Sequence, residues 1–219
     1  MIAHFIRHGE SASNAEPGRD LSDVDGDRLT ELGHRQAATA AEHLGNLRID
    51  RLWSSPLRRA QETAAPIAAA LGLEIETHDD LAELREGDDH YKLSGEEQRL
   101  ARWSARMMGA PDDPHSAPEG AESFADMVAR VERLKELLLE HRDQRVLAVS
   151  HGILLRFLFV HSFLEGEFTP AQVGRLWQLR TVNCGLSAFQ HRAIGEETAY
   201  PSESEWLCLT WMARPWDPL

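Results

Sequence analysis

The sequence predicts an α/β protein, a three-layer sandwich in which a mostly parallel central sheet is flanked by helices. Three observations carry that expectation. Short apolar runs alternate with longer segments of helical spacing, the pattern of strands joined by crossover helices. Two of the short runs end alike, in a histidine followed by a glycine, at His8-Gly9 and His151-Gly152. The chain has 219 residues, 42% apolar and 27% charged, which is enough to bury a sizeable core without disulfide or metal staples.

Each element follows in order. Residues 3–6 form the first apolar run. Thr30 is a helix N-cap, and Leu32, Ala37, Ala41 and Leu44 recur behind it at helical spacing. Residues 51–54 give a second strand. Ser55-Pro56 then reads as a cap with proline at the first helical position, followed by a stripe of Leu57, Ala60, Ala64, Ile67 and Leu71 that Gly72 closes. Pro66 falls inside this stripe and is expected to kink or break the helix. A third strand lies at 74–77. Residues 85–118 fit the alternation poorly, with a short helix over 96–107 and a turn-rich 109–114. This stretch is too short to bury its own core, so it reads as a lid-like helical and loop excursion from one domain spanning 1–219. Ser123 and Asp126 form a capping box ahead of Phe124, Met127, Val131, Leu134 and Leu138 on one helix face. Further strands are expected at 145–150 and 186–190. The segment 191–219 carries Trp206, Trp211 and Trp216 and reads as a terminal strand packed on the core, with a homodimer contact as the alternative.

Charge narrows the ligand. The formal net charge of −13 excludes nucleic acid and anionic membranes as partners, because both draw on a basic surface. It leaves room for one small basic pocket. No apolar stretch reaches the twenty or so residues that span a bilayer. The N-terminal run meets Arg7 too early for a signal peptide, and two cysteines, Cys184 and Cys208, suit a reducing compartment. A cytoplasmic location is expected.

The chemistry lies at strand ends. In open α/β sheets the ligand crevice is outside the carboxyl ends of the strands, so His8 and His151 face the same opening. The strand at 51–54 leads into Arg58 and Arg59 in the first turn of a helix, where cations oppose the helix dipole unless an anion is near. With Arg7 beside His8, two guanidiniums and two imidazoles describe an anion pocket, and phosphate matches the fork of arginine. A reaction there also needs an acid. Glu83 and Glu86 both follow the strand at 74–77, and spacing alone leaves the two open.

These residues resemble a known pattern. Arg7-His8-Gly9-Glu10-Ser11 with Asn14, Leu29-Thr30 through Gly33 and Gln36, and Ser54 through Thr63 match the first three blocks of the histidine phosphatase superfamily, the phosphoglycerate-mutase-like group. Pro118 to Val131, with Gly120, Glu122 and Ser123, resembles a fourth. Val149-Ser150-His151-Gly152 followed by Asn183 resembles the last. The resemblance implies that His8 is the nucleophile that becomes phosphohistidine. It implies that Arg7, Arg59 and His151 bind the phosphate, with Asn14 and Gly152 assisting, and that Arg58 faces solvent. It selects Glu83, four residues before Gly87, as the proton donor. It implies a small phosphorylated substrate and neither metal nor other cofactor.

The chain departs from the mutase pattern in three places. Gly87-Asp88-Asp89-His90-Tyr91 replaces the family's usual aromatic run, the segment 20–27 is acidic, and the 85–118 excursion is shorter than the mutase one. These differences favour a phosphatase over a mutase. A phosphoglycerate-mutase-type transferase and a non-catalytic phosphate-binding module are the alternatives. His90, Arg85 and Tyr91 read as a solvated loop, and Cys184 as a packing residue.

Overall fold

A computed structural model describes residues 1–15, 27–85, 113–164, 168–192 and 206–216. They build one six-stranded sheet. Its strands are β1 (Ile2–Arg7), β2 (Arg51–Ser54), β3 (Ile75–Thr77), β4 (Val146–Ser150), β5 (Leu186–His191) and β6 (Trp206–Ala213), in the order β3-β2-β4-β1-β5-β6. The first four in that order are mutually parallel; β5 pairs antiparallel with the far edge of β1, and β6 antiparallel with β5. The mixed α/β sandwich expected from the alternation is present.

Period-2 alternation sends each strand's side chains into two cores. Ala3 and Phe5 of β1, with Val146 and Ala148 of β4, join Met127, Val131, Leu134, Leu154, Phe157 and Leu158 on one face. Ile6, Leu147 and Val149 join Ala40, Leu44, Ala60, Ala64 and Ile67 on the other. The helices are therefore sorted: α2 (Glu31–Leu44) and α3 (Arg58–Leu71) cover one face, while α4 (Phe124–Glu140) and α5 (Gly152–Leu164) cover the other. A short α1 (Ala12–Ala15) lies near the strand ends. Each large apolar side chain removed from water contributes about 1.5–3 kcal/mol before entropy is set against it.

Local signals held where a polar group had one clear job. Thr30 caps α2 by accepting from the Gly33 N–H, and Ser123 and Asp126 form a reciprocal capping box on α4. The expected positions Leu32, Ser55 and Pro66 behave otherwise. Leu32 is exposed, and Ala40 takes the buried place in α2. Helix α3 begins at Arg58 rather than at Ser55-Pro56: Ser55 Oγ accepts from Leu57 N at 3.2 Å, but the helical turn closes only after Leu57, which stands at the cap without a side-chain bond of its own. The helix also runs on through Pro66 to Leu71, stopping at Gly72 in the left-handed region. Packing of Ala60, Ala64 and Ile67 against the sheet carries it past the missing donor.

Two elements lay outside the sequence reading. Helix α5 is apolar almost all round, so it has no periodic stripe to see; it is wedged between the sheet, α4 and β6. A 3₁₀ stretch, Pro170–Gln178, follows it. The tail packs on the core as β6, with Trp206 buried and Trp211 against Phe159 at 4.7 Å between ring centres. The expected helix over 96–107 lies outside the described residues, as do 193–205 of the tail.

One close approach joins the layers near the strand ends. A Cβ at Gly9 would stand 2.6 Å from Gly33 O, and one at Gly33 would overlap Glu10 O and lie 2.9 Å from its carbonyl carbon. Thr30 N donates to Glu10 O at 2.9 Å and Glu10 N to Gln36 Oε1 at 2.8 Å, so the first turns of α2 clasp the segment after His8. Glycine inside a helix ordinarily costs about 1 kcal/mol against alanine. Gly33→Ala reverses that sign: it is expected to destabilise the protein by about 1–3 kcal/mol through backbone overlap, read as a lowered denaturation midpoint in urea.

Candidate active site

Three parallel strands finish together. Arg7 of β1 pairs with Ser150 of β4, so His8 and His151 leave the sheet side by side, and His8 N donates to Ser150 O at 3.0 Å. Ser55, following β2, donates its N–H to Val149 O at 3.0 Å and joins the same rim. The two imidazole rings are buried, 5.1 Å apart between centres.

Their tautomers follow from their partners. His8 Nδ1 lies 2.7 Å from Gly9 O, which can only accept, so Nδ1 carries the proton and Nε2 presents its lone pair. Arg59 Nε donates to that Nε2 at 3.2 Å and to His151 Nδ1, also at 3.2 Å. His151 is thus bare at Nδ1 and donates from Nε2 to Ser55 Oγ at 2.7 Å. Burial, then the Arg59 and Arg7 charges, hold His8 well below the usual imidazole range. His151 is pushed the same way by burial, Arg59, His8 and Arg7. Both rings are neutral at pH 7.

The guanidiniums are anchored from several elements. Arg7 Nη1 donates to Thr181 O at 3.2 Å and to Thr181 Oγ1 at 3.4 Å, and Nη2 to Asn14 Oδ1 at 3.4 Å. Its buried Nε has no hydrogen-bond partner among the described residues. Asn183 Nδ2 donates to both His8 O and Asn14 Oδ1, at 3.1 and 3.0 Å, tying α1 to the β1 exit. Gly152 opens α5 with no side chain, and a Cβ there would meet Thr181 Oγ1 at 3.0 Å and Arg7 Nε at 3.5 Å. Arg59 comes from the first turn of α3, where Thr63 Oγ1 donates to its carbonyl at 2.7 Å and accepts from Gly9 N at 3.0 Å. Its Nη1 is ion-paired with Asp27. Arg58 points outward, half exposed, onto Glu62.

Glu83 follows β3 and a 3₁₀ turn, Asp79–Leu81. Its carboxylate accepts from Ile153 N at 3.1 Å and Leu154 N at 3.2 Å, at the positive end of the helix that begins after His151. Its charge acts on both Arg7 and Arg156. Behind it, Ser150 Oγ donates to Leu81 O at 2.9 Å, Arg130 donates to Ala82 O, and Glu122 binds both Arg130, at 2.7 Å, and Arg85 N, at 2.8 Å. Glu86 lies outside the described residues.

The structure thus brings Arg7, His8, Asn14, Arg59, His151 and Gly152 to one rim, with Glu83 on the adjoining helix start. Sequence reasoning gave no role in the site to Ser55, Thr63, Thr181, Asp27 or the buried Arg130. Only Arg130 had a readable signal, a cation on the apolar face of α4 between Met127 and Leu134. Cys184 is buried, and burial pushes its thiol up to about 12, which suits packing rather than reactivity. No group of three or more His, Cys, Asp or Glu among the described residues is arranged to hold a metal ion.

A neutral, lone-pair-bearing imidazole between two guanidiniums at the strand ends of an α/β sheet has the chemistry of a seat for an oxyanion such as phosphate. Comparison with known proteins makes this specific: residues 3–199 match the model of the histidine phosphatase superfamily, branch 1, and the chain belongs to that family of enzymes. It is 33% identical to a protein of Yersinia pestis (strain Pestoides F) named probable phosphoglycerate mutase GpmB, over 97% of this chain and 90% of that one. It resembles a mycobacterial glucosyl-3-phosphoglycerate phosphatase solved in complex with VO3, at 26% identity, a TM-score of 0.74 and coverage of 97% and 99%. The fold is shared with a phosphoserine phosphatase of Entamoeba histolytica, at 20% identity, a TM-score of 0.73 and 98% coverage of each chain.

Neutral buried histidines make stability depend on pH with a definite sign. The folded state binds fewer protons than the unfolded chain below the ordinary value of 6.5, so stability is full above that pH and is lost on acidification. His8→Gln is expected to flatten the fall between pH 6 and 5 by about 1.4 kcal/mol per pH unit. Denaturant unfolding at the two pH values measures it; an unchanged slope contradicts the neutral buried ring.

Proposed function

We propose that the enzyme is a metal-independent phosphomonoesterase that hydrolyses a small phosphorylated metabolite through phospho-His8. The observation that carries this reading is the bare, neutral Nε2 of His8 directed at Arg59 beside Arg7. The Arg59 N–H that now rests on Nε2 moves to a phosphoryl oxygen as the ester binds. The Nε2 lone pair then forms the N–P bond while the P–O ester bond breaks, and Glu83, entering this step protonated, gives its proton to the leaving oxygen and becomes the carboxylate. Arg7 and Arg59 offset charge on the equatorial oxygens, which is the work a metal does elsewhere, and the Asn14 amide, the Gly152 turn and the His151 Nε2–H, once it leaves Ser55 Oγ, complete the cradle. Water next attacks phosphorus, Glu83 takes its proton, the N–P bond breaks and phosphate leaves. The 26% identical mycobacterial phosphatase supports hydrolysis as the outcome.

The relative named probable phosphoglycerate mutase favours a second reading, in which phospho-His8 passes its group to another hydroxyl. A coupled assay for phosphoglycerate interconversion with a bisphosphorylated primer separates the two, since only a mutase responds to the primer. A cytoplasmic setting fits the thiols of Cys184 and Cys208, both unpaired.

Two measurements test the reading. Incubation with a ³²P-labelled monoester and an acid-free quench is expected to leave acid-labile, base-stable label on the wild type and none on His8→Ala, whose turnover falls to background. Glu83→Gln is expected to lower kcat by about 10²–10⁴, and Glu86→Gln far less, in steady-state assays on a panel of sugar phosphates, phosphoglycerates and nucleotides. The opposite ranking transfers the proton-donor role to Glu86.

A further inference from the structure

The phosphate seat on Arg59 is already taken by a carboxylate of the chain itself. Arg59 Nη1 is ion-paired with Asp27, while Nε of the same guanidinium covers the lone pair of His8. Asp27 is held there by its main chain. Ala12 N donates to Arg28 O at 3.1 Å, Leu29 N to Glu62 Oε2 at 2.8 Å and Thr30 N to Glu10 O at 2.9 Å, so the three residues after it are fastened to α3 and to the segment following His8. The pair is partly shielded from water, with side-chain exposures of 15% for Arg59 and 29% for Asp27, so solvent screening weakens it less than a surface pair.

We infer that Asp27 is a specificity-determining residue of the phosphate pocket, a resident anion on Arg59 that an incoming phosphoryl group displaces and that then faces the substrate's leaving group. The inference rests on the phosphomonoesterase reading and deepens it by naming a substrate class. A dianionic phosphoryl group outcompetes a single carboxylate for a guanidinium, whereas a singly charged anion gains little by the exchange. Once displaced, the carboxylate stays within side-chain reach because residues 28–30 are fastened. There it repels a second negative charge beside the ester and accepts a hydrogen bond from a hydroxyl. The favoured substrates are therefore phosphate esters of uncharged, hydroxyl-bearing alcohols, such as polyols and sugars, and the disfavoured ones carry a carboxylate or second phosphate next to the ester.

Two arms test it. By isothermal titration calorimetry with inorganic phosphate at pH 7.5, Asp27→Asn and Asp27→Ser are each expected to bind about tenfold tighter than the wild type, and Asp27→Glu within threefold of it. In steady-state assays, the wild type is expected to prefer glycerol phosphate over 3-phosphoglycerate in kcat/KM, and Asp27→Asn to shrink that preference about tenfold. Phosphate affinity that is unchanged or weaker in both Asp27→Asn and Asp27→Ser overturns the competitor role. An unchanged preference in a variant that binds phosphate more tightly overturns the discrimination. If the wild type hydrolyses no ester, the phosphomonoesterase reading fails, and the calorimetry still decides whether Asp27 competes with phosphate.

Discussion

Everything at the strand ends depends on one shared hydrogen. The Nε of Arg59 lies 3.2 Å from both His8 Nε2 and His151 Nδ1 and shares its hydrogen between them; burial first, and then this guanidinium, keep both rings neutral. Two imidazoles side by side out of water cannot both be charged beside two guanidiniums, because burial and Coulomb repulsion act in the same direction. Neutrality leaves one lone pair on each ring, and the outer nitrogens fix which one: His8 is tied to Gly9 O and His151 to Ser55 Oγ. The lone pair of His8 is thus set by its surroundings before any ligand arrives.

Much of the surrounding structure serves to hold that arrangement still. The parallel pairing of β1 with β4 sets the two histidines at adjacent exits. The overlap of Gly9 with Gly33 lets α2 press against the turn after His8, and Thr63 couples that turn to the backbone of Arg59. On the opposite side, the buried Arg130–Glu122 pair fastens residues 82–85 from beneath, so that Glu83 meets the start of α5. A buried ion pair contributes little net stability when compared with apolar packing. Here it also binds the main chain around Glu83, which gives it a positioning role.

The acidic character of the chain takes on a local meaning at this site. A net charge of −13 surrounds a pocket whose inner wall is two arginines and two neutral histidines, and one aspartate of the acidic 20–27 segment reaches the pocket itself. Long-range charge disfavours polyanions in general, while a single carboxylate on Arg59 acts on the ligand at contact distance. The two effects differ in range, and the sequence displays only the first.

The strand–His–Gly repeats, the Arg58-Arg59 pair and the capping box were legible because each is local: a strand end, a helix start and a reciprocal side-chain bond are written within a few residues. So was the shared rim of His8 and His151, whereas the outward face of Arg58 followed only from the family resemblance. Helix α5 was not legible, since a helix apolar almost all round has no amphipathic period. Leu32 and Pro66 departed from their local signals because packing outweighed propensity, while Ser55 Oγ meets both the Leu57 N–H and His151 and α3 starts only at Arg58. The sequence by itself determined the α/β class, the residue types of an anion pocket and the places where strands deliver them. Only the tertiary structure decided which nitrogen of each histidine is bare, which carboxylate lies on Arg59 and what fastens Glu83. The contacts from Arg59 to Asp27, His8 and His151, from His151 to Ser55 and from Arg130 to Ala82 join residues 32 to 96 positions apart, and nothing in local spacing specifies the partner that closes such a distance.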